Sequence, residues 1–124
     1  AEQFIDTVRK AVDDPTIHIK VIYESGGTPV TPWTSRMFTT IENVVRRHHP
    51  GAIVTPSPIP YGTDSNTFRL RGAEAYGFFP VVLDLGVVSS MHGDAERLPV
   101  EAFREGIQVF TDILRDFAGG DGGP

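Results

Sequence analysis

The sequence predicts an α/β chain in which helices pack on a mixed sheet. Apolar stripes of helical period alternate with short apolar runs of strand period, and Pro- and Gly-rich turns set these segments apart. With 124 residues, 40% hydrophobic and 22% charged, the chain has the composition and length of a globular unit with a core of its own.

Residues 2–13 read as a helix, with Phe4, Ile5, Val8, Ala11 and Val12 on one stripe. Asp14-Pro15 ends it, because the residue before a proline is pushed out of helical dihedrals. Residues 17–24 read as a strand, since Ile17, Ile19, Val21 and Tyr23 alternate with mostly polar neighbours and Ile22 alone breaks the pattern. Residues 24–32 are turn-rich and form the best internal boundary. Ser35 is placed to cap the next helix, which ends near His49-Pro50-Gly51 and buries Met37, Phe38, Ile41, Val44, Val45 and His48.

Residues 52–54 form a short apolar strand candidate. The three prolines of residues 56–60 make an extended connector. A short helix follows Asp64, and residues 75–82 read as a buried strand interrupted by Pro80. The last helix spans about residues 99–118, with Val100, Phe103, Ile107, Phe110, Leu114 and Phe117 as its core stripe. The Gly-rich residues 119–124 read as a flexible tail.

Charge and composition exclude several classes. A net charge of −5 speaks against a nucleic-acid binder. No apolar run reaches the ~18 residues of a membrane span, and the acidic N-terminus is no signal peptide. Compartment is otherwise unspecified. With zero cysteines there are no disulfides and no thiolate metal sites. The chain begins at Ala1, which fits a processed protein or a piece of a longer one.

Two segments carry candidate chemistry. His92 lies between apolar Val87-Val88 and the last helix. Neutral imidazole is the commonest metal ligand, although a loop histidine is also a common polar surface residue. Asp94 and Glu96 would either orient His92 or add negative charge ahead of the last helix. Gly62-Thr63-Asp64 reads either as a helix cap or as backbone that holds a substrate anion. Ser89, Ser90 and His92 lack a nucleophile-elbow motif, so a serine hydrolase is not indicated. Arg46-Arg47-His48-His49 complements a helix C-terminus.

In order along the chain, Gly62-Thr63-Asp64, Gly77-Phe78-Phe79-Pro80, His92-Gly93-Asp94-Ala95-Glu96 and the final helix resemble the C-terminal part of the zinc metallopeptidases that include aminoacylase, carboxypeptidase S and succinyl-diaminopimelate desuccinylase. The likeness covers nearly all of residues 1–117. It implies the C-terminal portion of a di-zinc aminopeptidase-like catalytic domain (residues 29–118), preceded by the last helix and strand of an inserted βαββαβ lid and dimerisation domain (residues 1–28).

The resemblance further implies a zinc-dependent peptidase or N-acyl amino acid amidohydrolase with two zinc ions. His92 falls on the last zinc ligand, and Gly62, Thr63 and Asp64 on the substrate side. The other ligands and the catalytic base would lie in a missing N-terminal part, so the chain alone would be inactive and would expose apolar surface where that part docks. A homodimer through the lid is implied as well. Tyr61 stands where the family often has glycine, and Asn66 where many members carry a substrate-binding arginine. Arg69, one turn on, is the candidate to replace that arginine. The alternative from a different class is a non-catalytic α/β interaction module without a metal site. Two lobes, residues 1–24 and 33–118, with few contacts between them complete the expectation.

Overall fold

The computed structural model describes residues 2–24, 27–58 and 62–119. Among these residues five helices follow one another: α1 Glu2–Val12, α2 Arg36–His48, α3 Ser65–Arg69, α4 Leu85–Val88 and α5 Val100–Gly119. Among the described residues there is no strand and no sheet. This corrects the expected α/β class: the described residues are all-helical with irregular connections, and neither a mixed sheet nor a lid strand is present among them.

The reason lies in what a strand requires. Alternating side chains set which face is apolar, but a strand exists only when a neighbour takes its N–H and C=O groups. The backbone-to-backbone bonds made by the expected strand segments are local, such as Ile17 N–H to the Asp14 carbonyl at 3.2 Å and Val81 N–H to the Phe79 carbonyl at 2.9 Å, and the distant bonds of Ala75 and Tyr76 involve side chains rather than a ladder. Side-chain alternation survives without the ladder. Tyr76 and Phe78 lean on the core, while Phe79 is 61% exposed.

The core lies between α2 and α5, the one pair of helices in contact among the described residues. Ile41 and Val44 from α2 meet Val109 and Ile113 from α5, flanked by Met37, Val45, Tyr76 and Phe78. Each such side chain, fully buried, stabilises by ~1.5–3 kcal/mol. Local signals place α2. Ser35 is its N-cap, and its hydroxyl accepts the Phe38 N–H at 3.1 Å. That hydroxyl also pairs with the Tyr76 hydroxyl, which donates to the Pro32 carbonyl. Gly51, at φ +91°, turns the chain away after the helix.

α5 buries a different face from the one its pattern suggests. Gly106, Val109 and Ile113 are buried, whereas Phe103, Ile107 and Phe110 of the expected stripe remain at least 50% exposed. Gly106 decides this. A Cβ there would lie 2.6 Å from Val81 Cγ1 and 3.1 Å from the Pro80 carbonyl, so only glycine lets residues 80–81 lie against the helix. α1 forms as expected but buries no residue, and Phe4 is 69% exposed. The tail reading falls outside the described residues except for Gly119, the last residue of α5.

Candidate functional site

His92 stands in a turn between α4 and α5. α4 was not foreseen; Asp84 caps it by accepting the Val87 N–H at 2.9 Å, and four residues are too few to show a period. Two tight turns follow, with Ser90 N–H to the Val87 carbonyl at 3.0 Å and Gly93 N–H to the Ser90 carbonyl at 3.0 Å. They carry His92 into the left-handed region at φ +62°. Non-glycine residues reach that region at a cost of about 1–2 kcal/mol. Glu96 offsets part of this by accepting the His92 backbone N–H at 3.0 Å. The imidazole is exposed and makes no hydrogen bond or ion pair among the described residues. Glu96 therefore holds the backbone of His92 and leaves the ring free, while Asp94 is exposed and takes no part in that bond.

Gly62, Thr63 and Asp64 form the exposed entry to α3; Tyr61 lies outside the described residues. Asp64 occupies the N-cap position, but its side chain makes no capping bond. Thr63 does that work instead, its hydroxyl accepting the Ser65 N–H at 3.3 Å. The Asp64 carboxylate is thus left unused by the helix. No hydrogen bond or ion pair joins it to His92.

Arg69 is engaged elsewhere. Its Nε donates to Thr31 Oγ1 at 3.0 Å and to the Ala75 carbonyl at 3.0 Å, and its Nη2 donates to the same carbonyl at 2.7 Å. Thr31 Oγ1 in turn donates to the Ala75 carbonyl at 2.8 Å. Asn66, the residue at the usual arginine position, accepts from Thr28 Oγ1 at 3.3 Å. α3 thereby fastens residues 28–31 to residue 75.

One cluster escaped sequence reasoning. The basic end of α2 faces acids on α5, with Arg47 to Asp116 at 2.8 Å, His48 to Asp112 at 2.8 Å and His49 to Glu105 at 3.6 Å. The bond from His48 is the main reason the Asp112 carboxyl titrates below its ordinary value, with the charges of His48, Arg47 and Arg115 adding to it against partial desolvation. The Asp116 carboxylate likewise holds the Arg47 guanidinium above its ordinary value. The signal was present as acids at 105, 112 and 116, but only the pairing of α2 with α5 connects them.

Among the described residues no group of three or more His, Asp or Glu side chains could hold a metal ion. These residues do not build a metal centre by themselves; His92 offers a single imidazole. No helix among the described residues is long and apolar enough to cross a membrane.

Residues 4–116 match the model of the peptidase family M20/M25/M40. A probable carboxypeptidase S-like protein from Dictyostelium discoideum is 22% identical over 113 residues, covering 90% of this chain and 22% of that protein. An N-fatty-acyl-amino acid synthase/hydrolase from Xenopus tropicalis is 24% identical over 116 residues, covering 93% of this chain and 23% of that protein. The chain thus spans less than a quarter of the length of these relatives. No solved structure matches significantly.

Proposed function

The chain belongs to the peptidase family M20/M25/M40, and from that membership we propose that it forms part of a zinc-dependent hydrolase acting on peptides or N-acyl amino acids. The names of the two relatives, a carboxypeptidase S-like protein and an N-fatty-acyl-amino acid synthase/hydrolase, support that substrate class. His92 would give its imidazole to one zinc ion. The remaining ligands and the catalytic base would come from the rest of the parent protein, and this chain alone would be inactive. Gly62, Thr63 and Asp64 would face the substrate. Residues 1–28 would belong to an inserted lid domain through which the parent dimerises.

The observation that carries this reading is the backbone of His92. His92 sits at φ +62° with its backbone N–H taken by the Glu96 carboxylate and its ring exposed, so the imidazole is available to a ligand; Asp13 is the other non-glycine residue at positive φ among the described residues. Losing a ligand from a zinc site of about three to four protein donors empties or cripples it. In the full-length parent, His92→Ala should therefore lower bound zinc and cut hydrolysis of an N-acyl amino acid by orders of magnitude. Unchanged zinc content and turnover would remove His92 from the site and favour a non-catalytic module.

A further inference from the structure

Residues 2–24 bond only to themselves. α1 packs on no other helix. Among the described residues the hydrogen bonds of this segment are short in sequence, such as Thr16 N–H to Asp14 Oδ1 at 2.8 Å and Ile17 N–H to the Asp14 carbonyl at 3.2 Å. The first tie to the rest of the molecule comes at Thr28, whose hydroxyl donates to Asn66 Oδ1 at 3.3 Å. The second comes at Thr31. Its hydroxyl donates to the Ala75 carbonyl at 2.8 Å and accepts the Arg69 Nε–H at 3.0 Å, while Arg69 Nη2 donates to the same carbonyl at 2.7 Å. One residue on, the Tyr76 hydroxyl donates to the Pro32 carbonyl.

These ties are unequal. The Thr28 bond is neutral and, at 3.3 Å, longer than the ordinary range for a hydroxyl donor. The Thr31 node gathers bonds from a charged donor at 2.7–3.0 Å, and charge-assisted bonds are roughly twice as strong as neutral ones. The Thr28 tie therefore breaks first. Pro29 and Val30, between the two, hydrogen-bond to no other segment among the described residues, and Val30 is 91% exposed. On the other side of Thr28, a Cβ on Gly27 would meet nothing within 4 Å, so the backbone there has room to turn. Breaking the Thr28 tie frees residues 28–30 and adds roughly 10 Å of reach at ~3.3–3.6 Å per residue.

We infer that Thr28–Asn66 is a releasable latch and the Thr31–Arg69–Ala75 node is its fixed stop. Residues 2–24 hang on a short tether when the latch is closed and on a longer one when it is open. The latch rests on the bonds joining residues 28–32 to residues 66–76, and it stands apart from both the metal role of His92 and the assignment of residues 1–28 to a lid.

The test reads the distance distribution between nitroxides at Lys10→Cys on α1 and Asn43→Cys on α2, both exposed positions in a chain without cysteine. It uses the full-length parent, diluted with unlabelled protein so that only distances within one chain register. Two populations are expected, with the latched one dominant. One neutral hydrogen bond moves a two-state equilibrium roughly fivefold, so Thr28→Val and Asn66→Leu should each raise the unlatched population about fivefold. Thr28→Ser keeps the hydroxyl and should return the original distribution. Thr31→Val should lower the melting temperature, whereas Thr28→Val should leave it unchanged. A Thr28→Val distribution that superimposes on the original would overturn the inference. So would Thr28→Ser as broad as Thr28→Val, or equal losses of melting temperature in Thr28→Val and Thr31→Val.

Discussion

The Glu96 carboxylate accepts the backbone N–H of His92 at 3.0 Å while His92 sits at φ +62°. The bond is from side chain to backbone, so it fixes where the imidazole is presented without consuming either ring nitrogen.

Glycine at position 92 would relax the backbone and remove the ring together. His92→Gly should leave the fold as stable or raise its stability by up to about 1 kcal/mol, while activity of the parent collapses. Glu96→Gln keeps an acceptor oxygen and should be mild; Glu96→Ala should loosen the turn and weaken zinc affinity of the parent about 10–100-fold. Thermal unfolding and zinc titration read the two effects separately. A large stability loss in His92→Gly would mean the ring is held by packing.

Gly106 is the second test. Alanine is the better helix former by about 1 kcal/mol, so propensity alone predicts stabilisation. The new Cβ would nevertheless sit 2.6 Å from Val81 Cγ1, on a short, stiff side chain, and 3.1 Å from the Pro80 carbonyl. Overpacking of this kind costs ~1–3 kcal/mol, so Gly106→Ala should lower stability in urea denaturation. Adding Val81→Ala should recover part of the loss. A Gly106→Ala variant more stable than the parent sequence would show that residues 80–81 do not lie on α5.

What was legible in the sequence was local. Ser35, Asp14-Pro15 and Pro99 each carry their instruction within a few residues, and α1, α2 and α5 begin and end close to where those residues place them. What was not legible depends on distant partners. Ile17, Ile19, Val21 and Tyr23 alternate as a strand would, yet no backbone bonds pair them with another segment among the described residues. The core stripe expected for α5, through Phe103, Ile107 and Phe110, is not the buried one, because the choice between it and Val109–Ile113 falls to a glycine whose role appears only when residues 80–81 come close. At the candidate site, a loop histidine followed by two acids was readable from spacing; that Glu96 rather than Asp94 makes the bond, and makes it to the His92 backbone, was not. Nor was the engagement of Arg69 with Ala75, because a backbone carbonyl leaves no mark in a sequence.

The α2–α5 contact should be acid-sensitive through Asp112. Its folded pKa lies below the ordinary aspartate value, chiefly through the bond from His48. A depressed carboxyl adds stability above the unfolded value, about 3.9, and loses it as pH falls through the folded value. Acid titration by circular dichroism should therefore show stability falling from about pH 4 downward, and Asp112→Asn should flatten that limb. His48→Phe should move the Asp112 carboxyl up towards its ordinary value in a carboxyl-detected NMR titration. An unmoved titration would assign the shift to Arg47 and Arg115 instead.

Arg69 gives the last prediction, because two roles compete for one guanidinium. As a substrate ligand it would need donors facing an open site. Instead Nε and Nη2 converge on the Ala75 carbonyl, with Thr31 Oγ1 closing the triangle. A planar fork satisfies that geometry and a lysine ammonium does not. Arg69→Lys keeps the charge but loses the fork, so it should behave almost as badly as Arg69→Gln. Both should destabilise the chain by about 1–3 kcal/mol, the scale of charged hydrogen bonds to a partly buried acceptor. Both should also speed proteolytic cleavage within residues 27–34, the segment that Arg69 and Asn66 tie down. A residue that binds the substrate carboxylate behaves differently. Arg69→Lys would then keep stability, and in the parent Arg69→Gln would raise KM for acidic substrates while leaving the proteolysis pattern alone. Stability, cleavage rate and KM measured on the same two variants separate the roles, and the bonds made by Arg69 predict the first pattern.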